Sequence, residues 1–176
     1  MGFFFMKHKP APYSNEHLEM ANALVQSARI FSIGIYSPML DKYPEVVSVA
    51  NSNLLAFWDY LITIASVGSA FMEIADTVPE NEQVGIAYAV QEKLNDWHPG
   101  SYDAMVDFVK YAKALVDSGV EVPDAIGGWI WVNLEKHDQA SLELKELACS
   151  LKLVRAIGAP ILLTFHGWWK QKWHKA

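Results

Sequence analysis

Residues 54–72 read LLAFWDYLITIASVGSAFM, and this stretch decides the fold. Asp59 is its single charge, and the apolar run lasts about five helical turns. When the neighbouring residues are projected onto a helix, one strip collects the polar side chains Ser52, Asp59, Thr63, Ser66, Glu73 and Asp76. We therefore predict a long central helix from Pro44 to near Asp76, enclosed on most sides and facing water along that strip.

The same run is long enough to raise a transmembrane alternative. A carboxylate in the middle of a span is costly in lipid, and the serines and threonine share its strip. Both features favour a helix in the core of a bundle over a membrane span.

Helical spacing also dominates before and after this stretch. The first predicted helix begins at Asn15 and runs to about Tyr36, and Pro38 and Pro44 bracket the turn that follows. The sequence Thr77-Val78-Pro79-Glu80 is typical of a capping box, with a hydroxyl and a carboxylate three residues apart. It predicts the start of a third helix, which ends at His98-Pro99-Gly100.

The second half of the chain continues this pattern. Ser101 is the predicted N-cap of a fourth helix, which Gly119 ends. In residues 126–132, Gly127 and Gly128 weaken a helix, so a short strand is an open alternative. Asp138 is the predicted cap of the next helix, and Gly158 and Pro160 are expected to break or kink that helix before a final segment.

These elements predict an all-α fold, a compact bundle of six to seven helices with one long central helix. Residues 1–14 are expected to form a flexible N-terminal extension, and residues 15–176 a single helical domain. Because Cys149 is the only cysteine, it has no partner for an internal disulfide, which favours a reducing cytoplasm. The N-terminus places its apolar residues before its positive charge, which argues against a secretory signal.

Charge is distributed unevenly along the chain. The net charge is −6, but residues 11–138 carry −12, while residues 1–10 carry +2 and residues 139–176 carry +4. An acidic body argues against binding nucleic acid through phosphate contacts. The basic ends suit a local anionic contact or the docking of one copy's end on another copy's body.

The catalytic motifs that we tested each lack a required residue. No Glu is followed three residues later by His, as a carboxylate-bridged metal centre requires, and no phosphate-binding loop or nucleophile elbow occurs. His137-Asp138 lacks the further downstream Asp of helical metal-dependent phosphohydrolases. Glu73 and Asp76 are the first metal candidates, but solvated helix ends explain them better. We predict no catalytic residue, metal or cofactor.

Two sets of residues are candidates for binding. A pocket inside the bundle for a small molecule or metal, possibly enzymatic, would be lined by Asp59, Glu73, Trp129 and Trp131, beside glycines that allow close approach of a backbone or a flat ligand. The C-terminal segment interleaves indoles with lysines at Trp168, Trp169, Lys170, Lys172 and Trp173. That composition suits peripheral contact with a membrane, but docking of the Trp rings on the bundle, with lysines in water, is favoured.

Self-association is the leading functional hypothesis. The helix after Asp138 carries apolar residues on two opposite sides. One side has Leu144, Leu147, Leu151 and Val154, and the other has Leu142, Cys149 and Leu153. Such a helix must be enclosed within one bundle or between two chains. We therefore expect a non-catalytic helical module for protein–protein interaction, which acts as a homodimer and has a further unknown protein partner.

Overall fold

The computed structural model describes residues 12–42, 52–137 and 144–173. These ranges contain helices and no strand, and the predicted all-α bundle is confirmed. Six helices are long and two have four residues each: α1 (Asn15–Lys42), α2 (Ser52–Phe71), α3 (Ile74–Thr77), α4 (Glu80–Trp97), α5 (Ser101–Asp117), α6 (Val122–His137), α7 (Leu144–Phe165) and α8 (Lys170–Trp173).

Helix α2 is the central helix of the bundle, since it packs against α1, α5, α6 and α7. All ten residues from Leu61 to Ala70 are buried. The expectation that its polar strip faces water is therefore wrong for Thr63 and Ser66, which the neighbouring helices enclose, whereas Asp76 is exposed. Ser69, which lies outside that strip, is also buried. Ser69 donates its hydroxyl to the Ala65 carbonyl at 2.7 Å, a bond within the helix that offsets part of the cost of burial.

Helix α2 ends earlier than predicted, at Phe71 instead of Asp76. A turn at Met72 and Glu73 separates it from α3, and residues 43–51, where the predicted start at Pro44 falls, lie outside the described ranges. The capping box expected at Thr77 is also absent. Thr77 donates its hydroxyl to the Glu73 carbonyl at 2.6 Å, and Pro79 precedes α4 with no side-chain cap.

Two prolines expected to end or break helices lie inside them. Helix α1 continues through Pro38 to Lys42, and α7 continues through Gly158 and Pro160 to Phe165. Proline has no N–H, so the carbonyl one turn before it loses its helical donor. Because Pro38 is exposed, water can donate a hydrogen bond to that carbonyl instead. The turn expected after Tyr36 is therefore wrong, and of the break or kink expected at Gly158 and Pro160 the break is wrong.

Helices α4 and α5 meet where the sequence indicates, but with a different cap. Helix α4 ends at Trp97, and Gly100 is the residue that precedes α5. Ser101, the predicted cap, is the first residue of α5, and it donates its hydroxyl to the His98 carbonyl at 2.6 Å. Helix α5 ends at Asp117, just before Gly119, as predicted.

Helices α6 and α7 pack with their backbones in close contact. Residues 126–132 are helical, which settles the choice between helix and strand. A Cβ atom on Gly127 would lie 1.9 Å from the Val154 oxygen, and one on Gly158 would lie 1.8 Å from the Pro123 oxygen. The glycines thus allow another backbone to approach, as one of the two sequence interpretations held. Asp138, Leu142 and the α7 side chains from Leu144 to Leu153, Cys149 included, lie outside the described residues.

Candidate functional site

The exposed face of α1 changes from polar to apolar along the helix. Its first half presents Glu16, Glu19 and Asn22 to water, as a solvated face normally does. Its second half presents Ile30 and Ile33, whose relative exposures are 72% and 68%. We call the exposed uncharged residues around these isoleucines the α1 stripe; they are Gln26, Ile30, Ile33, Gly34, Ser37 and Pro38, and exposed Asp41 and Lys42 follow them at the end of the helix.

The α1 stripe is continuous and uncharged. Its members recur at three- and four-residue intervals, so they lie on one side of the helix. Gly34 has no heavy atom within 4 Å of the position that a Cβ would take, so the space beside the two isoleucines is open. No exposed charge interrupts α1 between Glu19 and Asp41. Two large neighbouring apolar side chains in water are typical of a contact surface.

Other exposed apolar side chains are less suited to such a contact. Leu163 on α7 is 82% exposed, and it is the one large hydrophobic residue of α7 that stands out in this way among the described residues. Val84 and Tyr88, one turn apart on α4, are less exposed than the two isoleucines, at 60% and 48%, and each pair has an exposed carboxylate nearby, Glu80 on α4 and Asp41 on α1. Single exposed hydrophobic residues are ordinary on a folded surface.

Asp59, a predicted pocket residue, is bound to α1. It is half-buried, and its Oδ1 lies against the Ser32 hydroxyl, whose single proton is shared between this carboxylate and the Arg29 carbonyl, 2.8 Å away. The carboxylate therefore ties α2 to α1.

Glu73, the second carboxylate of the predicted pocket, binds the end of α7. Its Oε2 accepts the Gly167 N–H at 2.7 Å, and its Oε1 lies against His166 Nδ1. The side chain of Glu73 is 18% exposed and that of His166 is 65% exposed. Helix α2 alone places Asp59 and Phe71 about 18 Å apart, and Glu73 lies beyond Phe71. The two carboxylates consequently do not share one pocket.

The two tryptophans of the predicted pocket lie on α6. Trp129 is buried, and its ring meets Phe108 of α5 edge to face with the centroids 5.3 Å apart. Trp131 is half-buried against the core. Packing between helices thus accounts for Trp129. The side chain of Glu73 has its polar contacts with His166 and Gly167, beyond the C-terminal end of α7.

The C-terminal aromatic and basic residues differ in their exposure. Trp169 is fully buried, and its indole N–H donates to the Ala70 carbonyl at 2.8 Å. Trp168 is half-buried with its ring 6.0 Å from that of Phe165, while Lys170 is exposed. Docking of Trp rings with lysine in water therefore describes these three residues. The side chains of Lys172 and Trp173 lie outside the described residues.

A buried histidine that sequence reasoning missed fixes the start of α1. His17 N–H donates to Ser14 Oγ at 3.2 Å, and Ser14 N–H donates to His17 Nδ1 at 3.2 Å. His17 Nε2 lies 2.6 Å from a carboxylate oxygen of Glu82 on α4. The histidine completes a reciprocal cap in the position where Glu or Gln usually stands. Both ring nitrogens are occupied, so the role of this histidine is structural.

Within the described ranges, no three His, Cys, Asp or Glu side chains are grouped so that they could hold a metal ion. Among the same residues, no helix is long and apolar enough to cross a membrane. Comparisons of the chain with protein-family models, with curated proteins and with solved structures found no match. Function is therefore inferred from the contacts, exposure and charge of this chain alone.

Proposed function

We propose that this chain is a non-catalytic helical interaction module that pairs with a second copy of itself through the α1 stripe. The observation that carries the proposal is the neighbouring exposure of Ile30 and Ile33 at 72% and 68%. Each buried aliphatic side chain contributes about 1.5–3 kcal/mol relative to the exposed state. Four isoleucines across a two-fold contact would form its apolar centre.

The absence of exposed charge in the stripe supports a second copy as the partner. In a two-fold contact the same patch of each chain meets the other, so a charge near the axis faces its own sign. This chain has a net charge of −6, so two copies repel each other overall. The α1 stripe adds no like-charge contact to this repulsion, and the open space at Gly34 allows an isoleucine of the partner to approach the helix.

The test is the mass in solution, measured by sedimentation equilibrium at micromolar concentrations. The wild-type chain is expected to have the mass of two chains. Ile33→Asp places two carboxylates near the axis and is expected to weaken pairing more than about tenfold, a cost of about 1.4 kcal/mol or more. Leu163→Asp is the matched control, because it makes a similar change at an 82% exposed position outside the stripe.

Three outcomes would reject the proposal. The wild-type chain could have the mass of one chain throughout the concentration range, or both aspartate variants could weaken pairing equally. Ile33→Asp could also leave the dimer intact. Far-ultraviolet circular dichroism of each variant verifies that its helices remain folded.

A further inference from the structure

The segment after α7 folds back against the end of the central helix. We call residues 166–173 the C-terminal strap. Helix α7 ends at Phe165, and Gly167 has φ +70°, a left-handed conformation that turns the chain and that glycine adopts without strain. The strap therefore begins at a sharp turn and does not extend α7 into the solvent.

Two side chains hold the strap in place. Glu73, just beyond α2, accepts the Gly167 N–H at 2.7 Å and lies against His166. Trp169 is fully buried, and its indole N–H donates to the carbonyl of Ala70, one residue before the end of α2. Glu73 lies outside the strap, so it can be changed without altering the strap's own composition.

In the docked strap, Trp169, a residue suited to insertion into a membrane surface, is buried. Tryptophan with lysine is typical of segments that lie at the headgroup level of a bilayer, with the indoles inserted and the ammonium groups in water. Lys170 is already exposed, but Trp169 has no accessible surface. Insertion of that indole into a membrane requires the strap to leave α2.

We propose that the C-terminal strap is an autoinhibitory latch, which Glu73 keeps closed and which binds an anionic membrane surface when it opens. The apparent affinity of the chain for the membrane is its intrinsic affinity multiplied by the fraction of molecules in which the strap is open. Loss of the Glu73 contacts raises that fraction. The strap carries lysines and no acidic residue, which selects anionic over neutral lipid. The proposal does not depend on pairing through the α1 stripe.

The experiment combines vesicle co-sedimentation with hydrogen exchange on the full chain. Wild type, Glu73→Ala and Asp76→Ala are mixed with vesicles of phosphatidylcholine alone or with phosphatidylglycerol added. Asp76→Ala is the matched control, since it removes the same charge from an exposed residue three positions later. Glu73→Gln is a milder second variant that keeps the side-chain volume. Exchange of the amides of residues 166–173 reports release of the strap.

We expect Glu73→Ala to speed strap exchange and to raise affinity for the anionic vesicles about tenfold or more, with Asp76→Ala remaining like wild type. Unchanged strap exchange in both Glu73 variants would overturn the role of Glu73. Faster exchange without tighter vesicle binding would overturn the membrane as the target. Equal gains for Glu73→Ala and Asp76→Ala, or equal binding to neutral vesicles, would show a general charge or hydrophobic effect and reject the proposal.

Discussion

At the residue scale, the sequence identifies the important carboxylates but not their partners. Asp59 and Glu73 stand out because each is an acidic residue in or beside an apolar helix. Their partners lie far away along the chain, since Ser32 precedes Asp59 by 27 residues and Gly167 follows Glu73 by 94. Helical periodicity is a local signal, so it predicts the face on which a residue lies and not what meets that face.

The isoleucines of the α1 stripe illustrate the same limit. Their spacing with Gln26 and Ser37 is visible in the sequence, but apolar residues on a helix normally indicate a buried face. Only the packing of α2 and α4 against the other sides of α1 shows that this face has no neighbour among the described residues. Exposure of this kind cannot be predicted without the tertiary arrangement.

Tyr60 provides a pH-dependent prediction at this scale. Burial raises the pKa of its hydroxyl, while a hydrogen bond with Ser101 lowers it in part. Because the folded state holds this proton more tightly than the unfolded chain, the resulting stability is complete below about pH 10 and is lost as pH rises through the folded value. The free energy of unfolding of Tyr60→Phe should therefore fall less than that of wild type between about pH 9 and about pH 11, about one unit on either side of the free tyrosine pKa. Each protein is referred to its own value at about pH 7.

Urea denaturation at each pH measures this difference. Each protein is compared with its own free energy of unfolding at about pH 7, so an effect of the substitution that does not depend on pH cancels. A Tyr60→Phe curve that fell with pH as steeply as that of wild type would contradict the assignment. Tyr102 and Tyr111, whose pKa values burial also raises, explain why some alkaline loss should remain in Tyr60→Phe.

At the element scale, the presence of the helices was more predictable than the residues at which they end. Apolar spacing located α1, α4 and α5, but Pro38 does not end α1, and Gly158 and Pro160 do not break α7. A proline costs a helix one hydrogen bond and some strain, and packing of the rest of the helix can outweigh that cost. For α7 that packing is the close contact with α6, which depends on glycines in both helices.

The glycine pair in α6 gives a sharp test of that contact. A Cβ at Gly127 would meet the Val154 carbonyl at 1.9 Å, while one at Gly128 would meet only the Tyr111 hydroxyl at 3.5 Å. Backbone atoms cannot move aside cheaply, so Gly127→Ala should destabilise by about 2 kcal/mol or more. Gly128→Ala should stabilise by about 0.5–1 kcal/mol, because alanine favours the helix.

Urea midpoints for the two adjacent variants measure both effects in the same helix. Similar midpoints would show that α6 and α7 do not approach as closely as described. A destabilised Gly128→Ala would show instead that Tyr111 cannot tolerate the added methyl group.

At the scale of the whole molecule, the bundle class followed from the sequence, because an apolar helix with one charge has to be enclosed by other helices. The sequence did not decide between two modes of self-association. The uneven charge of the chain favours a basic end of one copy docking on the acidic body of another. The α1 stripe favours a two-fold contact between uncharged surfaces. Both modes give a dimer, so mass alone does not separate them.

Salt dependence separates the two modes, because they differ in the sign of the charge interaction. Two chains of net charge −6 repel, and a contact through the uncharged α1 stripe gains nothing from charge to oppose that repulsion. Raising the salt from about 0.01 M to about 0.15 M shortens the screening length from about 30 Å to about 8 Å. Pairing through the stripe should therefore tighten as salt is added, whereas docking of a basic end on an acidic body should weaken. Sedimentation equilibrium at the two salt concentrations measures the dimer dissociation constant directly, and a constant that rises with salt would contradict the two-fold contact.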